Sequence, residues 1–340
     1  MGRLRQAVLP LRRRGYNLAM MKIHLDTDLG GDIDDLCALA MLLRWPEELD
    51  ITGITVVGDT DGRRTGAVRQ VLAIAAREDI PVAAGAETSQ GYYPYDLGLP
   101  DEARYWPTPI LPSPNPVTDA LDLLKASIDQ SATVIGIGPC TNLRLLEDAS
   151  PGILSDARLV LMGGYVLPPR SGFPAWRNED DFNLQVDVVS AFTVLTRSRP
   201  TLVPLPITGE TFLRRAQLPI LRGGGAGPLG ALIARQAEAF AADEQMDVRY
   251  GSTCSRLPAD IINFQHDAFA CAVALGWHDG VTMEELPLRI AVENGVLHER
   301  VDARGAPTRV VTAIDGARFS EFWLETVTRA SSPAMPPKSH

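Results

Sequence analysis

Short apolar and β-branched runs alternate along this chain with longer stretches whose apolar residues recur at helical spacing. The short runs predict strands at 22–26, 51–57, 81–84, 132–137, 158–162, 201–205 and 289–293. The longer stretches predict helices at 33–44, 62–77, 117–129, 141–147, 184–197, 229–241, 266–275 and 317–329. Alternation of this kind belongs to a mostly parallel central sheet flanked on both faces by helices, here a single α/β domain. Such sheets bind ligands beyond the carboxyl ends of their strands, where the strand order reverses.

Two stretches break the rhythm. Residues 86–116 carry Tyr92, Tyr93, Tyr95, Tyr105 and Trp106 among several prolines, and 165–182 carry Phe173, Trp176, Pro168, Pro169 and Pro174. Long connections inside a compact domain are commonly functional lids, and the aromatic content here favours a lid with walls for a flat ligand. The run Gly223–Gly227 lacks the Lys-Ser/Thr ending of a phosphate loop and reads as a flexible connector. The domain is expected over 21–330, with no linker or internal repeat. Residues 1–20 form a basic leader (Arg3, Arg5, Arg12, Arg13, Arg14) without the sustained apolar stretch of a secretory signal. It reads as a disordered tail or as upstream of a true start at Met20 or Met21. Residues 331–340 are rich in Pro and Ser and are expected to fray.

A net charge of −10 argues against a nucleic-acid partner, and no apolar run approaches the about 20 residues of a membrane span. The four cysteines, Cys37, Cys140, Cys254 and Cys271, form no CxxC pair. They read as buried free thiols of a cytoplasmic protein.

The chemistry concentrates in Asp26-Thr27-Asp28-Leu29-Gly30-Gly31-Asp32-Ile33-Asp34-Asp35, five carboxylates in ten residues. The stretch lies between Ile23-His24-Leu25 and the amphipathic Leu36, Leu39, Ala40, Leu43, so it reads as strand, glycine turn and helix. Like charges packed at one strand end repel unless a cation or substrate compensates them, which makes a metal site the first hypothesis.

This segment resembles the amino-terminal signature of the inosine-uridine-preferring nucleoside hydrolases, D-x-D-P-G-x-D-D-A-x-A-L. Leu29 stands at the usual Pro, and two extra residues separate the turn glycine from the paired Asp. Further matches follow in the family's order. Gly138-Pro139-Cys140-Thr141-Asn142 resembles its G-P-L-T-N turn, and Val160-Leu161-Met162-Gly163-Gly164 its V-L-M-G-G strand end. Asp181-Phe182-Asn183 with Asp187 resembles E-F-N-x-x-x-D-P, with Asp181 at the usual Glu; His266-Asp267-Ala268 resembles H-D-P/A.

The resemblance implies a Rossmann-like nucleoside hydrolase fold, assembled as a homodimer or homotetramer, and hydrolysis of the N-glycosidic bond of a ribonucleoside or related N-riboside. It implies Ca²⁺ held by Asp28, Asp35, Asp267 and the Ile137 carbonyl. Asp28 is then the base for a water acidified by the ion, and the transition state is oxocarbenium-like. Asp34 and Asn183 would hold the ribose hydroxyls, Asp181 would lie near the 5′ side, and His266 would serve the leaving base. Asp59 stands where the family commonly has Asn, and Asn178 lies near a ribose-contacting Asn but out of register; both enter as candidate substrate contacts. Asp32 reads as a helix cap, and Asp26 either as a turn carboxylate or as support for the metal ligands. Two alternatives remain open: a metal-dependent phosphohydrolase, which also starts strand–DxDx, and an inactive nucleoside- or sugar-binding protein of the same fold.

Overall fold

The acidic turn owes its position to the strand before it. A computed structural model describes residues 20–46, 48–88 and 99–329; the basic leader, the carboxyl-terminal tail and Tyr92, Tyr93 and Tyr95 lie outside them. β1 (Met21–Thr27) runs between β2 (Leu49–Val56) and β4 (Thr133–Gly136), parallel to both. Its last five residues are buried, as a strand covered on both faces requires. The polar His24 is tolerated because its ring meets the Ser127 and Thr55 hydroxyls at 2.9 Å each, and burial holds it neutral.

The chain winds from β1 out to β2 and β3 (Val82–Ala84), then returns to the other side of β1 as β4, β5 (Arg158–Met162) and β6 (Thr201–Val203). The order therefore reverses between β1 and β4, and the carboxyl ends of these two strands flank the crevice. Helices cover the sheet: α1 (Asp34–Leu43), α2 (Arg63–Ile74), α3 (Val117–Asp129), α4 (Thr141–Ala149), α5 (Val188–Arg197), α6 (Gly227–Glu244), α7 (His266–Ala274) and α8 (Gly316–Thr328). α1 is not the half-exposed helix its apolar stripe predicts. Asp34 through Leu42 are all buried, because α1 is enclosed by α6, α7 and α8, and its small Cys37, Ala38 and Ala40 let them approach.

Beyond β6 the sheet gains three strands where the sequence predicts one at 289–293. β7 (Thr282–Glu293) pairs antiparallel with both β8 (Val296–Val301) and β9 (Ala306–Ala313), and β9 joins β6 in parallel. A small ladder, Leu213–Arg214 with Ile261–Asn263, is also new. The predicted helix 184–197 divides into Phe182–Gln185 and α5, because the Asp187 side chain accepts the Ser190 N–H and starts a new helix. Among the described residues no helix is long and apolar enough to cross a membrane. All four cysteines are buried and free.

Candidate active site

Three chain segments bring their carboxylates to the crevice. Asp28 follows β1 directly. Gly30, at φ +120°, turns the chain back, and the Asp32 side chain accepts the Asp34 N–H at 2.8 Å to start α1. Asp34 and Asp35 are the first residues of α1, and Asp267 is the second of α7. Two helix amino termini thus converge, and their dipoles favour negative charge there. The junction is closed by hydrogen bonds. The Asp267 N–H donates to Asp34 Oδ2 at 3.1 Å, and the Thr27 hydroxyl donates to Asp35 Oδ1. Across the crevice, a Cβ on Gly138 would stand 2.8 Å from Asp28 Oδ1, so a glycine lets the β4 turn approach this carboxylate.

The electrostatics are those of an uncompensated anionic site. Burial pushes Asp28 up to about 6, with the Arg64 guanidinium opposing the rise and Asp32 adding to it. Asp34, Asp35 and Asp267 rise well above the usual carboxylate range, first from burial and then from neighbouring charge: Asp32 acts on Asp34, Asp28 and Asp32 on Asp35, and Asp34 and Asp35 on Asp267. One buried oxygen of Asp34, Oδ1, has no hydrogen-bond partner. Arg64, which sequence reasoning missed, is a buried cation on the cavity wall. It donates to the carbonyls of Gly58 (2.9 Å) and Asp28, tying the end of β2 to the end of β1.

Among the described residues no group of three or more His, Cys, Asp or Glu side chains converges closely enough to hold a metal ion as the side chains stand. The donor set is nevertheless all oxygen, rich in carboxylates and short of positive charge, with one buried carboxylate oxygen unpartnered. That is the chemistry a hard divalent cation satisfies.

These groups line a cavity of about 570 Å³. Asp28, Asp34, Asp35, Ile137, Asp181, Asn183, His266 and Asp267 all line it. Asn183 Nδ2 donates to the Ile137 carbonyl at 2.9 Å and to the Met162 carbonyl at 3.2 Å, which fixes its amide at the ends of β4 and β5. Asp181 Oδ2 accepts the Gly164 N–H at 2.5 Å. His266 Nδ1 meets the Thr208 hydroxyl at 2.7 Å, and burial pushes its imidazole down to about 3, so it is neutral near pH 7. Beside it stands an aromatic wall. Trp176 lies 5.6 Å from the His266 ring and 4.8 Å from Phe264, and its indole N–H donates to the Tyr250 hydroxyl at 3.2 Å.

Other candidates are placed elsewhere. Asp59 is off the cavity wall and caps α2. Oδ1 accepts the Arg64 N–H at 2.6 Å, and Oδ2 accepts both the N–H (2.9 Å) and the hydroxyl (2.5 Å) of Thr65. Asn178 is likewise off the wall, its amide donating to the Leu297 carbonyl of β8. Asp26 braces strands rather than facing the cavity; its Oδ1 accepts from Asn142 Nδ2 at 2.8 Å and from the Thr55 hydroxyl at 2.5 Å. Of the two aromatic stretches, 165–182 reaches the cavity through Trp176, whereas Tyr105 and Trp106 are packed in the core.

Comparison with known proteins gives the same picture at the level of the whole chain. Residues 23–321 match the family model described as inosine-uridine preferring nucleoside hydrolase. The chain is 28% identical over 246 residues to the pyrimidine-specific ribonucleoside hydrolase RihA of Salmonella arizonae, covering 68% of this chain and 75% of that protein. It is 30% identical over 210 residues to the RihA of Escherichia coli O7:K1, covering 58% of this chain and 63% of that protein. Among solved structures, a plant nucleoside hydrolase superposes with TM-score 0.73 at 21% identity, covering 91% of this chain and 99% of the other. A purine-preferring ribonucleoside hydrolase from Gardnerella vaginalis gives 0.67 at 19%, covering 90% and 98%.

Proposed function

Since this chain belongs to the inosine-uridine preferring nucleoside hydrolase family and so to the N-glycosyl hydrolases, we propose that it cleaves a ribonucleoside, or a related N-riboside, to free base and ribose with Ca²⁺ as cofactor. The observation that carries this reading is the meeting of Asp28, Asp34, Asp35, Asp267, Ile137 and Asn183 in one cavity at the strand-order reversal, with a neutral histidine and an aromatic wall beside them. A phosphohydrolase would leave Asp34-Asp35 without a role and needs a lysine, and no lysine stands on the described cavity wall.

Asp28, Asp35, Asp267 and the Ile137 carbonyl would hold the ion, which when bound supplies the charge that orients a sugar diol and acidifies the attacking water. Asp28, at the end of β1 on the cavity wall, would accept the proton of that water. Asp34 and Asn183 grip the ribose hydroxyls, Asn183 with an amide already fixed by two strand-end carbonyls. Such a grip lets binding energy act on the sugar as it flattens toward the oxocarbenium ion. Trp176 and Tyr250 line the cavity and would pack against a planar base. His266, held by the hydrogen bond between its Nδ1 and the Thr208 hydroxyl and packed beside Trp176, would serve the departing base as a neutral imidazole.

We further propose that the enzyme works in the cytoplasm, where unpaired thiols stay reduced, as a homodimer or homotetramer, which light scattering tests. The deciding experiment measures free base and ribose from a panel of purine and pyrimidine nucleosides, with Ca²⁺ and with chelator. Turnover that chelation abolishes supports the reading. Phosphate release from phosphoesters, or tight nucleoside binding without turnover, sinks it.

A further inference from the structure

Behind the cavity wall lies a second carboxylate that no sequence motif announced. Gly164 and Tyr165 follow β5, and their consecutive N–H groups each hold an acid: Gly164 donates to Asp181 Oδ2 at 2.5 Å, Tyr165 to Glu299 Oε2 at 3.0 Å. Asp181 lines the cavity; Glu299 comes from β8 and does not. Both are almost fully buried, at 1% and 2% exposure. The remaining oxygen of each, Asp181 Oδ1 and Glu299 Oε1, has no hydrogen-bond partner. Room for Asp181 is made by Gly163 at φ +141°, where a Cβ would stand 3.4 Å from Oδ1 and 2.9 Å from Leu184. The register of β8 against this segment is fixed by Gln185, whose side chain bonds both the N–H (3.0 Å) and the carbonyl (2.9 Å) of Leu297.

Two buried anions hung from adjacent amides are costly, and one proton between them removes the cost. We propose that Glu299 is a positioning residue for the hydrolysis: its buried carboxylate, hung on the amide next to the one that holds Asp181, disfavours a second charge there, so that Asp181 faces the sugar as a hydrogen-bond donor rather than as a bare anion. This rests on the hydrolase reading above. Burial, and then the Glu299 charge, hold Asp181 up at about 7; burial also raises Glu299. The charged residues beside Asp181 in the chain and on the packed elements are Arg177, Glu179 and Asp180, His298 and Arg300 on β8, Glu284, Glu285, Arg289 and Glu293 on β7, and Arg197 on α5. Arg177, Arg289 and Arg300 pair with Asp180, Asp302 and Glu293. The pair also explains how Asp181, one methylene shorter than the Glu of the resembling motif, is supported from behind.

The test uses the Ca²⁺-loaded protein and the variants Glu299→Gln and Asp181→Asn. Infrared difference spectra across pH 5–9 read the carbonyl stretch of a protonated carboxyl. In the wild type minus Asp181→Asn difference, which cancels Asp26 and the other raised carboxyls, such a band is expected at pH 6 that titrates away near neutrality, and Glu299→Gln should have lost that intensity at pH 7. Without the repulsion of Glu299, Asp181 ionises earlier. The alkaline limb of kcat/KM in Glu299→Gln should therefore move down by about 1 pH unit, a tenfold change, through KM rather than kcat. A wild type with no such band, or a band unchanged in Glu299→Gln, overturns the proposal. The infrared arm needs no substrate, so its failure counts against the pair alone. Protein that keeps the band yet cleaves no ribonucleoside counts against the hydrolase reading and against Glu299 as its positioning residue.

Discussion

At the residue scale the site is organised by carboxylates whose roles are set by what else touches them. Asp28 is the one placed between the turn, the Arg64 guanidinium and the close-approaching Gly138. Replacing it with Asn keeps the shape and removes the proposed base, so kcat should fall by about 10²–10⁴; near-normal kcat in Asp28→Asn removes Asp28 from proton transfer. Gly138→Ala tests the same residue from outside. The new methyl must displace Asp28 Oδ1 from 2.8 Å, so turnover should drop at least tenfold while circular dichroism stays wild-type. His266 differs because it is neutral and can only help a base that needs help. His266→Ala should slow natural nucleosides far more than a nitrophenyl riboside, whose anion leaves unaided. Equal losses on both substrates would assign His266 to packing against Trp176 and Phe264.

At the element scale, what the sequence reveals depends on how each element earns its stability. The buried parallel strands were legible because both faces are apolar: β1, β2, β4 and β5 fall within a few residues of the predicted runs. The antiparallel arm was not, because β7 is half exposed and mixes Glu284, Glu285, Pro287 and Arg289 with its apolar residues. Its local signal was Asn294-Gly295, both at positive φ, the two-residue turn that joins β7 to β8. The motifs were legible as an ordered set, and the cavity is lined by Asp28, Asp34, Asp35, Asp181, Asn183, His266 and Asp267 from them. Asp59 and Asn178 read as substrate contacts only because position relative to a motif says nothing of where a side chain's bonds go. Both Asp59 oxygens serve the start of α2. Asp59→Ala should therefore cost stability, about 0.5–2 kcal/mol for a lost cap, with kcat changed less than twofold once folded. A denaturant titration beside kinetics at saturating substrate separates the two effects. Gln185 and Asn178 meanwhile occupy the outer hydrogen-bonding groups of edge strand β8 at Leu297, which blunts an edge otherwise open to strand addition.

At the scale of the whole molecule, the raised carboxylates of the crevice tie folding to protons and, through the proposed ion, to a cation. Asp26 is held up at about 7 and Asp28 at about 6, and Asp34, Asp35 and Asp267 higher than the usual range, in each case first by burial. A carboxylate with a raised folded-state pKa binds its proton more tightly folded than unfolded. Its stabilising contribution is full below about pH 4 and is lost as pH rises through the folded value. Chelator-treated protein should therefore melt at a higher temperature at pH 5 than at pH 8, with the decline steepest between about 5 and 6, where the unfolded carboxylates are ionised while Asp28 and Asp26 still hold their protons, and flattening above about 7. The proposed calcium would act in the opposite sense. Bound by the ionised carboxylates, it should give its largest gain at pH 8, about 2.7 kcal/mol at 100 times its dissociation constant, and the gain should shrink toward pH 5 as protons compete for the same oxygens. Melting curves at both pH values, with chelator and with a calcium series, read the two linkages in one experiment. Magnesium is the control, since its small octahedral shell suits a multidentate carboxylate cage less well. A midpoint that ignores calcium at pH 8, or apo protein as stable at pH 8 as at pH 5, would mean that these carboxylates neither repel one another nor meet a cation, and that the crevice is assembled for something else.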